Sequence, residues 1–262
     1  MSATRLTRRL RIFAGPNGSG KSTIIEAIRQ IRVAGRPIDF GIYINADDIA
    51  RQLDADRFFF ADYELGSIRR EDFIEVVLAS GLVNRAFSEK DFRRSFSISA
   101  DGHVSLNVKK FRDNLAQILA DFLRKRSLDD NRKVSFETVF SHPSKIDFMK
   151  EAQQRGYKNY LYFVSTKTPK INVSRIKEVR TKQGGHDVPE EKIVSRYYRS
   201  LDLLYEAAEW AYQAYFFDNS EFRPNHEPFA HFKVTGGRKH WDNFEGKSVP
   251  FWFDKYYLQK LG

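Results

Sequence analysis

The run Gly15-Pro16-Asn17-Gly18-Ser19-Gly20-Lys21-Ser22 has the spacing G-x-x-x-x-G-K-S, followed by Thr23. Residue types in that order can hold phosphate. Glycines let the backbone curl so that several N–H groups face one anion. The start of a helix adds partial positive charge at the same point. Lys21 is placed to reach the β- and γ-phosphates of a nucleoside triphosphate, and Ser22 to put its hydroxyl on Mg²⁺. The expected ligands are therefore ATP or GTP together with Mg²⁺. No N-K-x-D motif for reading a guanine base is present.

Phosphate binding alone does not name a reaction; a kinase also needs an acceptor site, a general base and mobile arginines. Asn45-Ala46-Asp47-Asp48 ends an expected strand, and the C-terminal edge of a parallel sheet faces the ligand crevice. Asp47 can take the proton of an attacking hydroxyl; Asn45 or Asp47 can equally cap the following helix. Glu137, with Thr138 beside it, ends another expected strand. It can bind substrate hydroxyls or act through water on Mg²⁺. Arg175, Arg180, Arg196 and Arg199 flank Gly184-Gly185-His186, the arrangement of a helical lid that brings positive charge to a migrating phosphoryl group. Asp218-Asn219-Ser220 is expected to border the base.

The elements that must carry these groups follow from periodicity. Strands are expected at 11–14, 41–45, 133–137, 158–164 and 215–218. Helices are expected from 21 to 31, 47 to 53, 74 to 87, 111 to 123 and 169 to 182. A further one restarts at 187–190 and runs to 212. Alternation either side of Asp101-Gly102 predicts a β-hairpin within 91–107, inserted on an edge of the main sheet. Strands at 229–235 and 249–253 are expected in an aromatic extension covering 219–262. Strands alternating with helices give an α/β fold with a mostly parallel sheet, three layers, a lid at 169–200 and a single domain over 1–262.

Composition sets the outer bounds. Of 262 residues, 41% are hydrophobic and 15% aromatic, with 23 Phe and 12 Tyr, which predicts a well-filled core. With no cysteine, disulfides and cysteine zinc sites are excluded. Residues 1–11 are basic without an apolar core and no stretch is apolar enough to span a bilayer, so the cytoplasm is the expected location and no membrane partner is expected. The net charge of +10 permits nucleic acid as a partner, but Lys and Arg are spread along the chain and do not favour it.

Gly15 to Thr23, Ile44-Asn45-Ala46-Asp47, Phe136-Glu137-Thr138, Arg175-Ile176-Lys177, Gly184-Gly185-His186-Asp187-Val188-Pro189 and Arg196-Tyr197-Tyr198-Arg199-Ser200-Leu201 together resemble the zeta toxin family of P-loop kinases, from about residue 8 to residue 220. The resemblance implies a P-loop nucleoside triphosphate hydrolase-like core. It would phosphorylate a hydroxyl of a UDP-N-acetyl sugar, typically UDP-N-acetylglucosamine, and have an antitoxin protein as partner. It makes Asp47 the general base, Lys21 the phosphate lysine, Glu137 a substrate contact and Arg175 one lid arginine. The family's second lid arginine has no direct match, and Arg180 or Arg196 stands in for it. Two other classes stay open on the residues: a polynucleotide kinase, and a nucleotide-binding module without catalysis.

Overall fold

The computed structural model describes residues 8–183, 189–221, 227–242 and 249–261. The chain forms two compact units, Met1–Asp39 with Glu137–Gly262, and Phe40–Phe136.

In the first unit, Arg9–Ala14 pairs in parallel with Lys158–Ser165, from Arg9 opposite Lys158 to Ala14 opposite Phe163. Lys158–Ser165 pairs in parallel with Gln213–Asp218 on its other side. Ala230–Thr235 and Arg238–Asp242 then continue the sheet antiparallel. Period-two alternation divides each strand between two faces. Leu10, Ile12, Leu161, Phe163, Ala214, Phe216 and Phe232 are buried. Phe163 meets Trp252 at 5.9 Å and Phe216 meets Phe253 at 4.8 Å, both from the helix Phe251–Tyr256. Phe13, Tyr162, Tyr215 and His231 are cross-strand partners in turn. They stack with ring separations of 4.7, 4.9 and 4.2 Å, the packing that stabilises adjacent strands.

The second unit contains the parallel pair Ile42–Ile44 and Val134–Thr138, the last two residues of which belong to the first unit. Its core gathers phenylalanines: Phe73 lies 4.9 Å from Phe122, 5.3 Å from Phe96 and 6.0 Å from Phe60. The helix Arg112–Asp129 contributes Leu115, Ile118, Leu119, Phe122 and Leu123 to it. Parallel pairs separated by helices make this a mostly parallel α/β fold, as the alternation of elements predicts.

Several expected elements are corrected. The hairpin is present, Phe96–Ile98 against His103–Leu106, but it belongs to a separate sheet with Phe58–Phe59 and not to the main sheet's edge. Residues before it form the helix Glu89–Ser95, capped by Ser88. The helix expected over 74–87 is Arg70–Leu78. It stops where Ser80 Oγ bonds back to Val77 O and Gly81 turns to positive φ. The helix expected to reach 212 divides into Glu190–Asp202 and Leu204–Glu209. The strand expected at 249–253 is the helix Phe251–Tyr256, with Pro250 at its start. Among the described residues no helix is long and apolar enough to cross a membrane.

Candidate nucleotide site

The phosphate motif joins the strand Arg9–Ala14 to the helix Lys21–Gln30. Backbone geometry explains its glycines. Gly18 has φ 75° and Gly20 φ 89°. A Cβ would stand 2.7 Å from Asn172 O at the first and 1.9 Å from Asn219 Nδ2 at the second. Both positions therefore combine left-handed backbone with a neighbour too close for a side chain.

Lys21 is only 6% exposed, buried beneath its own loop. Its Nζ donates to Gly15 O and Pro16 O, both at 3.0 Å, and lies 3.8 Å from Glu137 Oε1. Three oxygens around the ammonium offset the cost of burying its charge. The hydroxyl of Ser22 donates to Glu137 Oε2 at 3.5 Å. Glu137, read in the sequence as a substrate contact or a group acting on metal through water, is thus gathered with the lysine and serine of the loop. Thr138 is occupied locally, its hydroxyl oxygen accepting from Phe140 N at 3.2 Å.

These oxygens suit a hard cation. Mg²⁺ characteristically takes one or two protein oxygens, several waters and substrate phosphates. The Ser22 hydroxyl and the Glu137 carboxylate are donors of that kind. Among the described residues no group of three His, Asp or Glu side chains offers an all-protein cage.

Other elements touch the loop. Asn172, on the helix Pro169–Gln183, donates from Nδ2 to Asn17 O at 2.6 Å. Arg175 is one turn further along this helix, on the same face. Its Nη1 is buried and has no hydrogen-bond partner among the described residues. Asn219 donates from Nδ2 to Ser19 O at 2.9 Å, so the turn 218–220 meets the loop. Asp218 Oδ2 accepts from Trp252 Nε1 at 3.0 Å. Asn172 was missed in the sequence, where a polar residue early in a helix carries no mark of burial.

Arg196 lies on Glu190–Asp202, and burial followed by the charge of Arg199 lowers its guanidinium from the usual value. Arg199, one turn further along, donates from Nε to Ser195 O at 3.4 Å. The side chain of Arg180 and the stretch Gly184 to Val188 lie outside the described residues.

Asp47 belongs to the second unit. It sits in the first turn of Ala46–Asp54, and the cap of that helix is Asn45, whose Oδ1 accepts from Asp47 N at 2.9 Å. The Asp47 carboxylate is exposed and makes no hydrogen bond or ion pair among the described residues. Asp48 differs, being paired with Arg51 on the same helix.

A parallel strand, a glycine loop holding a buried lysine, and a helix that begins at that lysine define a P-loop nucleotide-binding protein. The family model for the AAA domain matches residues 5–196, and the chain belongs to that family. No curated protein matches it in sequence. Solved structures similar to it include one from the PezAT chromosomal toxin–antitoxin system of Streptococcus pneumoniae. That similarity has 12% identity and a TM-score of 0.48, covering 98% of this chain and 83% of the other. The AvrRxo1-ORF1:-ORF2 complex with ATP is another, at 14% identity and a TM-score of 0.47. It is covered over 91% of this chain, which spans 62% of the AvrRxo1 chain.

Proposed function

We propose that this protein is a kinase that moves the γ-phosphoryl group of ATP or GTP to a hydroxyl of a small molecule, a UDP-N-acetyl sugar by resemblance to the zeta toxins. The acceptor oxygen bonds to the γ-phosphorus as the bond to the β,γ-bridging oxygen breaks. The hydroxyl proton goes to the Asp47 carboxylate, and the products are a phosphoester and a nucleoside diphosphate. Gly15 to Thr23 hold the phosphates, and Lys21 moves from its loop carbonyls to the β- and γ-oxygens. Mg²⁺, held by Ser22 and through water by Glu137, would neutralise charge on those oxygens. Arg175 and Arg196 place positive charge around the migrating group, and Arg180 is a third candidate for that task. An antitoxin protein is a candidate partner.

The observation that carries the reading beyond nucleotide binding is Arg175. Its buried Nη1, which has no hydrogen-bond partner among the described residues, shares a helix face with the residue bonded to the phosphate loop. A guanidinium held in this way favours a negative partner, and phosphoryl transfer supplies one.

The test offers γ-labelled ATP with UDP-sugars, nucleosides and oligonucleotides. Label is expected on the UDP-N-acetyl sugar, and it should disappear in Lys21→Met, which keeps the buried length of the lysine without its charge. Label on oligonucleotides would establish the polynucleotide kinase instead. ATP bound with no transfer to any hydroxyl would leave a non-catalytic nucleotide-binding module.

A further inference from the structure

A loop that turns its N–H groups toward an anion must turn its carbonyls elsewhere, and each of those needs a donor. Pro16 O accepts from Ser19 N at 3.2 Å and Gly20 O from Ile24 N at 3.2 Å. Gly15 O and Pro16 O also accept from Lys21. Asn17 O and Ser19 O are served by two side chains distant in sequence, Asn172 at 2.6 Å and Asn219 at 2.9 Å.

The peptide unit is planar and trans, so its N–H and C=O point in opposite directions. Fixing Asn17 O on one side aims the N–H of Gly18 to the other. Fixing Ser19 O does the same for the N–H of Gly20. Neither glycine amide has an acceptor among the described residues. Two held carbonyls therefore back two vacant donors.

Both asparagines are themselves held. Asn172 is fully buried, and its Oδ1 is bonded to the hydroxyl of Thr166. The carbonyl of Thr166 accepts from Tyr197 OH at 2.5 Å. Tyr197 lies on Glu190–Asp202 beside Arg196, so this chain of bonds reaches from the phosphate loop to both arginine-bearing helices. Asn219 N donates to Ser165 O at 2.8 Å, fastening its turn to the end of a core strand.

We propose that Asn172 and Asn219 are positioning residues of the phosphate cradle. Each holds one loop carbonyl outward so that the Gly18 and Gly20 amides are aimed at phosphate before nucleotide arrives. Preorganised donors act at no reorganisation cost when charge arrives, which is the advantage of such a clamp. Asn172 also fixes the register of the helix carrying Arg175 against the loop. The inference rests on the nucleotide-binding reading and specifies how that site is built.

Glycine-selective ¹⁵N labelling gives 15 positions to follow. Wild-type protein titrated with ATP is expected to shift the Gly18 and Gly20 amides. In Asn172→Leu the ATP-induced shift at Gly18 should be lost and that at Gly20 kept. Asn219→Leu should do the opposite. ATP affinity by calorimetry should fall about tenfold in each, the order of one charge-assisted hydrogen bond. Thr166→Val, which leaves the Asn172 amide in place but unfastened, should weaken the Gly18 shift more mildly and provides the readout if Asn172→Leu fails to fold. Equal loss of both shifts in either asparagine variant would mark a general structural role and overturn the proposal. Unchanged shifts and affinity in the asparagine variants, with wild-type binding intact and Lys21→Met inactive, would overturn it alone. No ATP binding by wild type would remove the nucleotide reading and this inference with it.

Discussion

Asp47 and Asp48 are adjacent carboxylates with different circumstances. Asn45 does the capping and Asp48 is tied to Arg51, which leaves the Asp47 carboxylate without a structural task among the described residues. In the sequence, base and cap competed for Asp47; the bond from Asp47 N to Asn45 Oδ1 separates them. Asp47→Asn should therefore keep thermal stability and ATP affinity. If Asp47 is the base, turnover should fall by roughly 10²–10⁴-fold. Asp48→Asn removes one exposed ion pair, worth at most about 1 kcal/mol, and turnover should remain within about twofold. Steady-state kinetics of the two variants decide the matter. A large loss in Asp48→Asn with full activity in Asp47→Asn would move the base by one residue, and full activity in both would deprive the proposed reaction of its proton acceptor.

Elements were legible where local chemistry speaks for itself. The strand Arg9–Ala14, its glycine loop and the helix Lys21–Gln30 follow from an apolar run, glycines and helical spacing, and the loop's lysine and serine could be read from spacing alone. The contacts that Asn172 and Asn219 make with the loop, 155 and 200 residues away in sequence, leave no local mark. The C-terminal segment shows why an element can be misread. Its run Val249-Pro250-Phe251-Trp252-Phe253 has the aromatic content of a strand. Burial of Trp252, Phe253 and Tyr257 instead selects a helix, with the last two one turn apart. Trp252 is nearly fully buried, packs 5.6 Å from Phe229 and bonds to Asp218. Trp252→Ala should cost about 3–5 kcal/mol, the range for emptying a large aromatic site. Urea unfolding should show a lower midpoint at unchanged slope. A cost below about 1 kcal/mol would mean that this helix is not part of the core that supports the 218–220 turn.

At the scale of the whole molecule, 44 Lys and Arg face 34 Asp and Glu for a net charge of +10, and placement decides what that excess can attract. The densest basic triplet is Arg124-Lys125-Arg126. Arg124 and Lys125 both pair with Asp121, at 3.2 and 3.0 Å, and Arg126 pairs with Asp130 at 3.4 Å. Arg124 is buried and lies over the ring of Phe136. Two carboxylates thus offset most of the charge of these three cations, and one of the three is withdrawn from solvent. Further arginines are matched in the same way, Arg93 with Glu89, Arg112 with Asp54 and Arg132 with Glu64. Affinity for single-stranded nucleic acid depends on phosphates neutralised, and log Kobs falls with log salt at about −0.7 per phosphate. Dispersed and paired charge should engage fewer than about three phosphates, giving a slope shallower than about −2. Fluorescence anisotropy with a labelled oligonucleotide over a salt series measures this slope. Arg126→Ala, which removes one member of the triplet, should leave it unchanged. A steep slope that this variant reduces by about 0.7 would establish the triplet as a phosphate contact and favour the polynucleotide acceptor over the small molecule.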